Sequence, residues 1–377
     1  MSSEDACFFD RLPIAKSSED ACFFDRLPIA MRDSFLQQAF QLLHQRHRYG
    51  VVPLVCPLWR RLVTSTCSSL QVKVLDCVAI DSLTSRLERH HPPLEELKLY
   101  LSSGKYYKSG EARLLELACS KVSLQSLMIE YLPSAMYSTI SLSSLTNLTS
   151  LELLSYCLSA TTRDSLLSLT QLRSLKLVSK ESRQDAIAPW LRNVSCSLLH
   201  LTALELSVGS LGVKPHYLLP LTTLRGLRHL VLTNMDVEAE GIAVLKQLPI
   251  TDVMVSVEHG EVGELCSWLQ EGGCRLITLH VGGNFFNPLS LPEVEMLLSH
   301  LCTFAPQLRI LCARHMIQLG PSTGLAGLTQ LTGLIMEDGC HDATLFQLSA
   351  LTGLRELSMG YNEVTGGPFE CLASSLQ

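Results

Sequence analysis

LTSLELLSYCLSATTRDSLLSLTQLRSLKL, residues 148–177, opens and closes on the same six-residue phrase, L-x-x-L-x-L. In its inner L-x-L, apolar and variable side chains alternate, so a short extended strand there carries one apolar face. One such strand cannot bury that face by itself. Stacking copies at a fixed period joins the strands into a parallel sheet and the leucines into a continuous core. Working outward, the phrase recurs as LEELKL from Leu94, LQSLMI from Leu124, LTALEL from Leu201, LRHLVL from Leu227 and, more weakly, ITDVMV from Ile250. LITLHV from Leu276, LRILCA from Leu308, LTGLIM from Leu331 and LRELSM from Leu354 follow. That makes eleven copies, 23 to 32 residues apart, with a mean period of 26.

Between strands the chain must return along the outside. Val262, Leu265 and Leu269, then Ile242 and Leu245, then Val294, Leu297, Leu298 and Leu301 have helical spacing. The shortest repeats return through SLTNL or GLTQL, with room for a turn or two.

This pattern resembles the leucine-rich repeat. The resemblance covers residues 70–377 and implies an α/β solenoid: a curved parallel sheet with a helical or irregular convex side. The family favours Asn at the ninth position of each repeat, where only Asn284 and Asn362 match here. The last repeat is expected to be cut short after Met359.

Composition narrows the function classes. Hydrophobic residues make up 47% of the 377 and charged residues 18%, which excludes general disorder. A net charge of -6 gives no strong field for nucleic acid or anionic lipid. The opening MSSEDACFFDRL is acidic and has no secretory core, and no run of about 18 apolar residues occurs. Fourteen cysteines without framework spacing then read as free thiols in a reducing compartment, cytoplasmic or nuclear. The sequons at Asn147 and Asn193 read as chance matches.

Residues 2–15 (SSEDACFFDRLPIA) recur identically at 17–30, so residues 1–24 read as a duplicated, disordered leader. Residues 25–65 read as a small helical module. Phe35, Leu36, Ala39, Phe40 and Leu43 fall on one helix face, and Val55, Leu58, Trp59 and Leu62 on another beyond Gly50 and Pro53. FLQQAFQLL (35–43), VPLVCPLWRRL (52–62) and the pair Leu27-Pro28 resemble an F-box, whose closing element is Val-Cys-x-x-Trp. By that resemblance this all-α module docks on the Skp adaptor of a cullin-based ubiquitin ligase. Leu27, Pro28, Phe35, Leu36, Phe40, Leu43, Val55, Trp59 and Leu62 would be the docking residues. The repeats would then select a substrate protein. The alternative is a repeat scaffold or signalling adaptor with no link to ubiquitin.

Catalytic and metal patterns are thin. Gly320–Gly324 fits G-x-S-x-G but lacks the strand–turn–helix that chemistry needs, so it reads as a turn. His44, His47, His90 and His91 have no convergent ligands and read as solvated, as do the basic clusters Arg46–Arg48 and Arg60-Arg61. A GTPase-activating repeat protein would need a loop Arg or Asn, and none singles itself out. No cofactor or metal is expected, and the partners expected are proteins. The variable residue between the last two leucines of each phrase should face away from the core. In order this row is Lys98, Met128, Glu152, Lys176, Glu205, Val231, Met254, His280, Cys312, Ile335 and Ser358. Its second half is apolar apart from His280. Val231, Met254, His280, Cys312 and Ile335 are therefore the expected substrate-binding strip on the concave face.

Overall fold

In a computed structural model, the described residues are 69–74, 84–85, 87–88, 94–101, 114, 116–121, 123–132, 141–155, 160–179, 184–208, 218–257, 260–272, 275–282, 289–314, 324–337 and 347–360. The F-box-like module, the duplicated leader, Asn284, Asn362 and all but the last glycine of the G-x-S-x-G match lie outside them.

The described residues contain twelve strands in one sheet, ordered as in the sequence and parallel throughout. They are β1 (Ser69–Val74), β2 (Glu96–Leu101), β3 (Ser126–Leu132), β4 (Ser150–Ser155), β5 (Ser174–Ser179) and β6 (Ala203–Val208). Then come β7 (His229–Asp236), β8 (Asp252–Ser256), β9 (Thr278–Gly282), β10 (Ile310–Arg314), β11 (Gly333–Glu337) and β12 (Glu356–Gly360). Eleven match the phrases. The twelfth, β1, precedes them: its CSSLQV carries Cys67 and Val72 where the phrase has leucine. This is a leucine-rich-repeat solenoid.

Three of the returns hold helices where the spacing predicts them. These are α3 (Ala239–Leu245), α4 (Val262–Gly272) and α5 (Leu291–Phe304), and every residue named for them above is buried. Ser290 and Glu293 form a capping box at the start of α5, satisfying N–H groups that the first turn leaves free. Two of the helices among the described residues are not apparent from spacing. One is the two-turn α1 (Ala160–Leu166). The other is α2 (Gln184–Ser197), which contains Pro189. Proline inside a helix removes one hydrogen bond at a cost of about 3 kcal/mol. Trp190, Leu191 and Val194 offset that by packing into the core.

The short returns are built on leucines three apart. In the turn before β4, Leu145 N–H donates to Leu142 O and Leu148 N–H to Leu145 O, both at 3.0 Å. The same pattern runs through Leu221, Leu224 and Leu227, and through Leu325, Leu328 and Leu331. This 3-10 spacing stacks i and i+3 side chains on one side, so all three leucines of each turn reach the core. Each turn also ties to the next. Thr149 and Ser150 N–H both donate to Gln125 O, Arg173 and Ser174 to Thr149 O, and so on to Arg355 and Glu356 on Thr332 O. At Thr149, Thr202 and Thr332 the hydroxyl donates to the same carbonyl. No described helix is long and apolar enough to cross a membrane.

Candidate functional site

Strand leucines alternate with outward residues, and those outward residues form rows across the sheet's open face. The row predicted from the phrases is in register from end to end. Lys98 pairs with Met128, Met128 with Glu152, then Lys176, Glu205, Val231, Met254, His280, Cys312, Ile335 and Ser358. β1 adds Gln71 at its start.

The first half of this face is charged. Lys176 bridges to Glu205 at 2.7 Å, with Glu152 across the other register pair. Lys98 pairs with Glu96 of its own strand at 2.8 Å and holds that carboxyl below its ordinary range, helped by the Ser69 hydroxyl. The Glu96 carboxylate in turn raises the Lys98 ammonium. Exposed pairs of this kind contribute about 0–1 kcal/mol each, so they set surface pattern more than stability.

Along the second half exposure varies from residue to residue. Val231 is 8% exposed and Cys312 0%, yet neither belongs to the leucine core on the other face. Outward neighbours cover them sideways. Met254, His280 and Ile335 are half-buried, with Ile310 half-buried one row over. The accessible apolar surface is therefore Met254, Ile310 and Ile335 around His280, over a floor of Val231 and Cys312. Gly333, beside Ile310, would bring an added Cβ within 3.4 Å of the Ile310 side chain, so the isoleucine already occupies that gap.

His280 sits at the centre of this surface. Its buried Nδ1 has no hydrogen-bond partner among the described residues. Burial lowers its pKa, the Arg314 guanidinium and His229 lower it further, and Asp252 opposes them. The ring is thus held neutral with an unused polar atom. Arg314 approaches Glu337 to 3.1 Å as an ion pair lacking hydrogen-bond geometry. Burial pushes the Cys312 thiol up, against the pull of Arg314 beside it. Among the described residues no group of three or more His, Cys, Asp or Glu side chains could hold a metal ion.

What this surface can do chemically is desolvate an apolar partner; the unused Nδ1 of His280 is shut off from solvent, so a partner reaches it only by moving the side chains around it. The adaptor-docking residues Leu27, Pro28, Phe35, Leu36, Phe40, Leu43, Val55, Trp59 and Leu62 lie outside the described residues.

No family model matches the chain, and no curated protein matches it. Among solved structures, it is similar to an internalin of Listeria monocytogenes, at 16% identity over 91% of each chain and a TM-score of 0.42. It is also similar to a leucine-rich-repeat protein of Leptospira interrogans, at 16% identity over 84% of each chain and a TM-score of 0.37. The strand order and register described above, and not these likenesses, establish the repeat fold.

Proposed function

We propose that this solenoid is a non-catalytic protein-recognition scaffold whose open face binds a protein partner at Met254, His280, Ile310 and Ile335. One observation carries the reading: apolar residues at the same phrase position come into register over consecutive strands, around a histidine with an unused buried nitrogen. Apolar surface rimmed by polar residues is the usual mark of a protein contact, and the flanking Asp252 and the Arg314–Glu337 pair supply that rim. The test is affinity capture from extract with the whole chain and with Met254→Asp/Ile335→Asp. A partner retained by the parent and lost by the variant, at unchanged circular dichroism, supports the site. Identical capture by both sinks it.

A second reading rests on the sequence VPLVCPLWRRL with FLQQAFQLL. It makes the scaffold the substrate-selecting subunit of a ubiquitin ligase, cytoplasmic or nuclear, with residues 25–65 as its F-box. Phe40→Ala/Trp59→Ala should then abolish recovery of a Skp-type adaptor and cullin while the repeats keep their circular dichroism. Aromatic anchors in such modules commonly contribute 2 kcal/mol or more. Absence of adaptor and cullin from the parent's capture leaves the plain scaffold.

A further inference from the structure

The edge by which the chain enters each strand has a chemistry the open face lacks. The carbonyl ladder stacks Arg173, Arg228 and Arg309 on that edge, with Arg225 and Arg275 in the turns just before β7 and β9. At about 4.8 Å per strand, Arg173 at the entry to β5 and Arg309 at the entry to β10 stand roughly 24 Å apart. Across the turns 170–174, 199–203, 225–229, 249–252, 275–278 and 306–310 the single acidic residue is Asp252. Its carboxylate is already engaged by the Thr251 hydroxyl at 2.6 Å.

Two of these arginines are braced. The Arg228 guanidinium donates to the carbonyls of Arg225, Leu227 and Pro249, and that of Arg309 to Gln330 O. Arg173, Arg225 and Arg275 are exposed and form no ion pair among the described residues. Interleaved with them are two conspicuous exposed aliphatics: Leu199, 60% exposed, and Ile277, 41% exposed. Upstream the same edge continues into an open groove of about 400 Å³ lined by Glu95, Ser123, Gln125, Asn147, Thr149 and Gln171.

We infer that this edge is a second binding surface, separate from the open face, for an extended acidic segment of a partner protein that also carries aliphatic side chains. Charge complementarity selects the acidic groups, because a basic run stands out on a chain of net charge -6. Leu199 and Ile277 select a peptide over a nucleic acid, since they gain by desolvation against side chains. These turns present no Phe, Tyr or Trp on which a base could stack, and their rings are limited to the smaller imidazoles of His200 and His229. On the neighbouring open face Lys98, Lys176 and Arg314 are already paired with Glu96, Glu205 and Glu337, so that face adds no surplus positive charge for a phosphate polymer wider than one strand.

Fluorescence anisotropy tests this with the full chain and a labelled twelve-residue peptide of Glu-Glu-Leu repeats, in low salt and at 0.15 M. A Lys-for-Glu version of the peptide and a twelve-nucleotide single-stranded DNA serve as comparators. Each exposed ion pair changes affinity by about 1.4- to 5-fold, and reversal adds repulsion. Arg173→Glu/Arg225→Glu/Arg275→Glu should therefore weaken the acidic peptide at least about tenfold, and Arg225→Glu/Arg275→Glu by a lesser factor. Circular dichroism should be unchanged, and Met254→Asp/Ile335→Asp should bind the peptide within about twofold of the parent. No saturable binding, a change under about twofold in both arginine variants, or tighter binding of the DNA than of the acidic peptide overturns the inference.

Discussion

Two adjacent residues of β8 separate the faces of the sheet. Val253 is 1% exposed and packs in the leucine core, while its neighbour Met254 points to the open face and is half-buried. Val253→Asp removes a fully buried valine, a loss of about 1.5–3 kcal/mol. It also leaves a carboxyl among leucines without a hydrogen-bond partner, which adds about 1–3 kcal/mol. Together these come to about 2.5–6 kcal/mol, or roughly 5–24 °C in melting temperature at about 2–4 °C per kcal/mol. Met254→Asp gives up only part of a side chain, and its carboxylate would face His280 across the register pair. It should cost about 1 kcal/mol or less, within the range of ordinary surface changes. Parallel thermal melts of the two variants, followed by circular dichroism at 222 nm, measure the difference. Equal losses, or a larger loss for Met254→Asp, would refute the face assignment and with it the proposed site.

Three further outcomes follow from particular environments. Burial depresses the pKa of His280, so its unfolded form takes up a proton first as pH falls through about 6.5. Stability should then decline from neutral pH towards the lowered folded value, by at most about 1.4 kcal/mol per pH unit, and His280→Gln should flatten that decline. Burial pushes the Cys119 thiol up to about 12 and the Cys266 thiol up to about 11, whereas Cys196 is exposed. Alkylation at pH 8 followed by mass spectrometry should label Cys196 before Cys119 and Cys266; the reverse order would contradict their burial. Gly282→Ala would set a Cβ against the Arg314 carbonyl of β10, 2.9 Å from its carbon, so the strands must part. A cost of about 1–3 kcal/mol by urea denaturation is expected, and a neutral result would show the β9–β10 approach to be looser.

Periodicity carried most of the architecture because one phrase fixes three things at once: strand, face and register. The outward row from Lys98 to Ser358 could be written down before any coordinates, since a residue between two core leucines has nowhere else to point. β1 escaped because Cys67 and Val72 substitute for leucines, and α2 escaped because Pro189 reads as a helix breaker in isolation. The burial of Val231 and Cys312 was not legible either. It depends on how far neighbouring outward side chains lean over them, which a one-dimensional pattern does not encode. The basic edge was hidden for a different reason. Apart from Arg225 and Arg228, its arginines stand 34 to 52 residues apart in the chain, so no contiguous charge run announces them, and only the stacking of the turns brings them onto one edge.

That ladder also has a mechanical consequence. Each turn is fastened to the next by a carbonyl that accepts two N–H groups at once, and among the described residues no backbone hydrogen bond fastens a turn to one further along. Load applied to the two ends should concentrate on one terminal joint at a time and not be shared among all twelve strands. Pulled at constant speed, the chain should therefore peel from its ends in a regular sawtooth. Each tooth should release about one repeat, near 26 residues, or roughly 90 Å of chain at its full reach. Folded this way, the protein behaves as a row of similar fasteners in series, yielding at modest force but over a long travel.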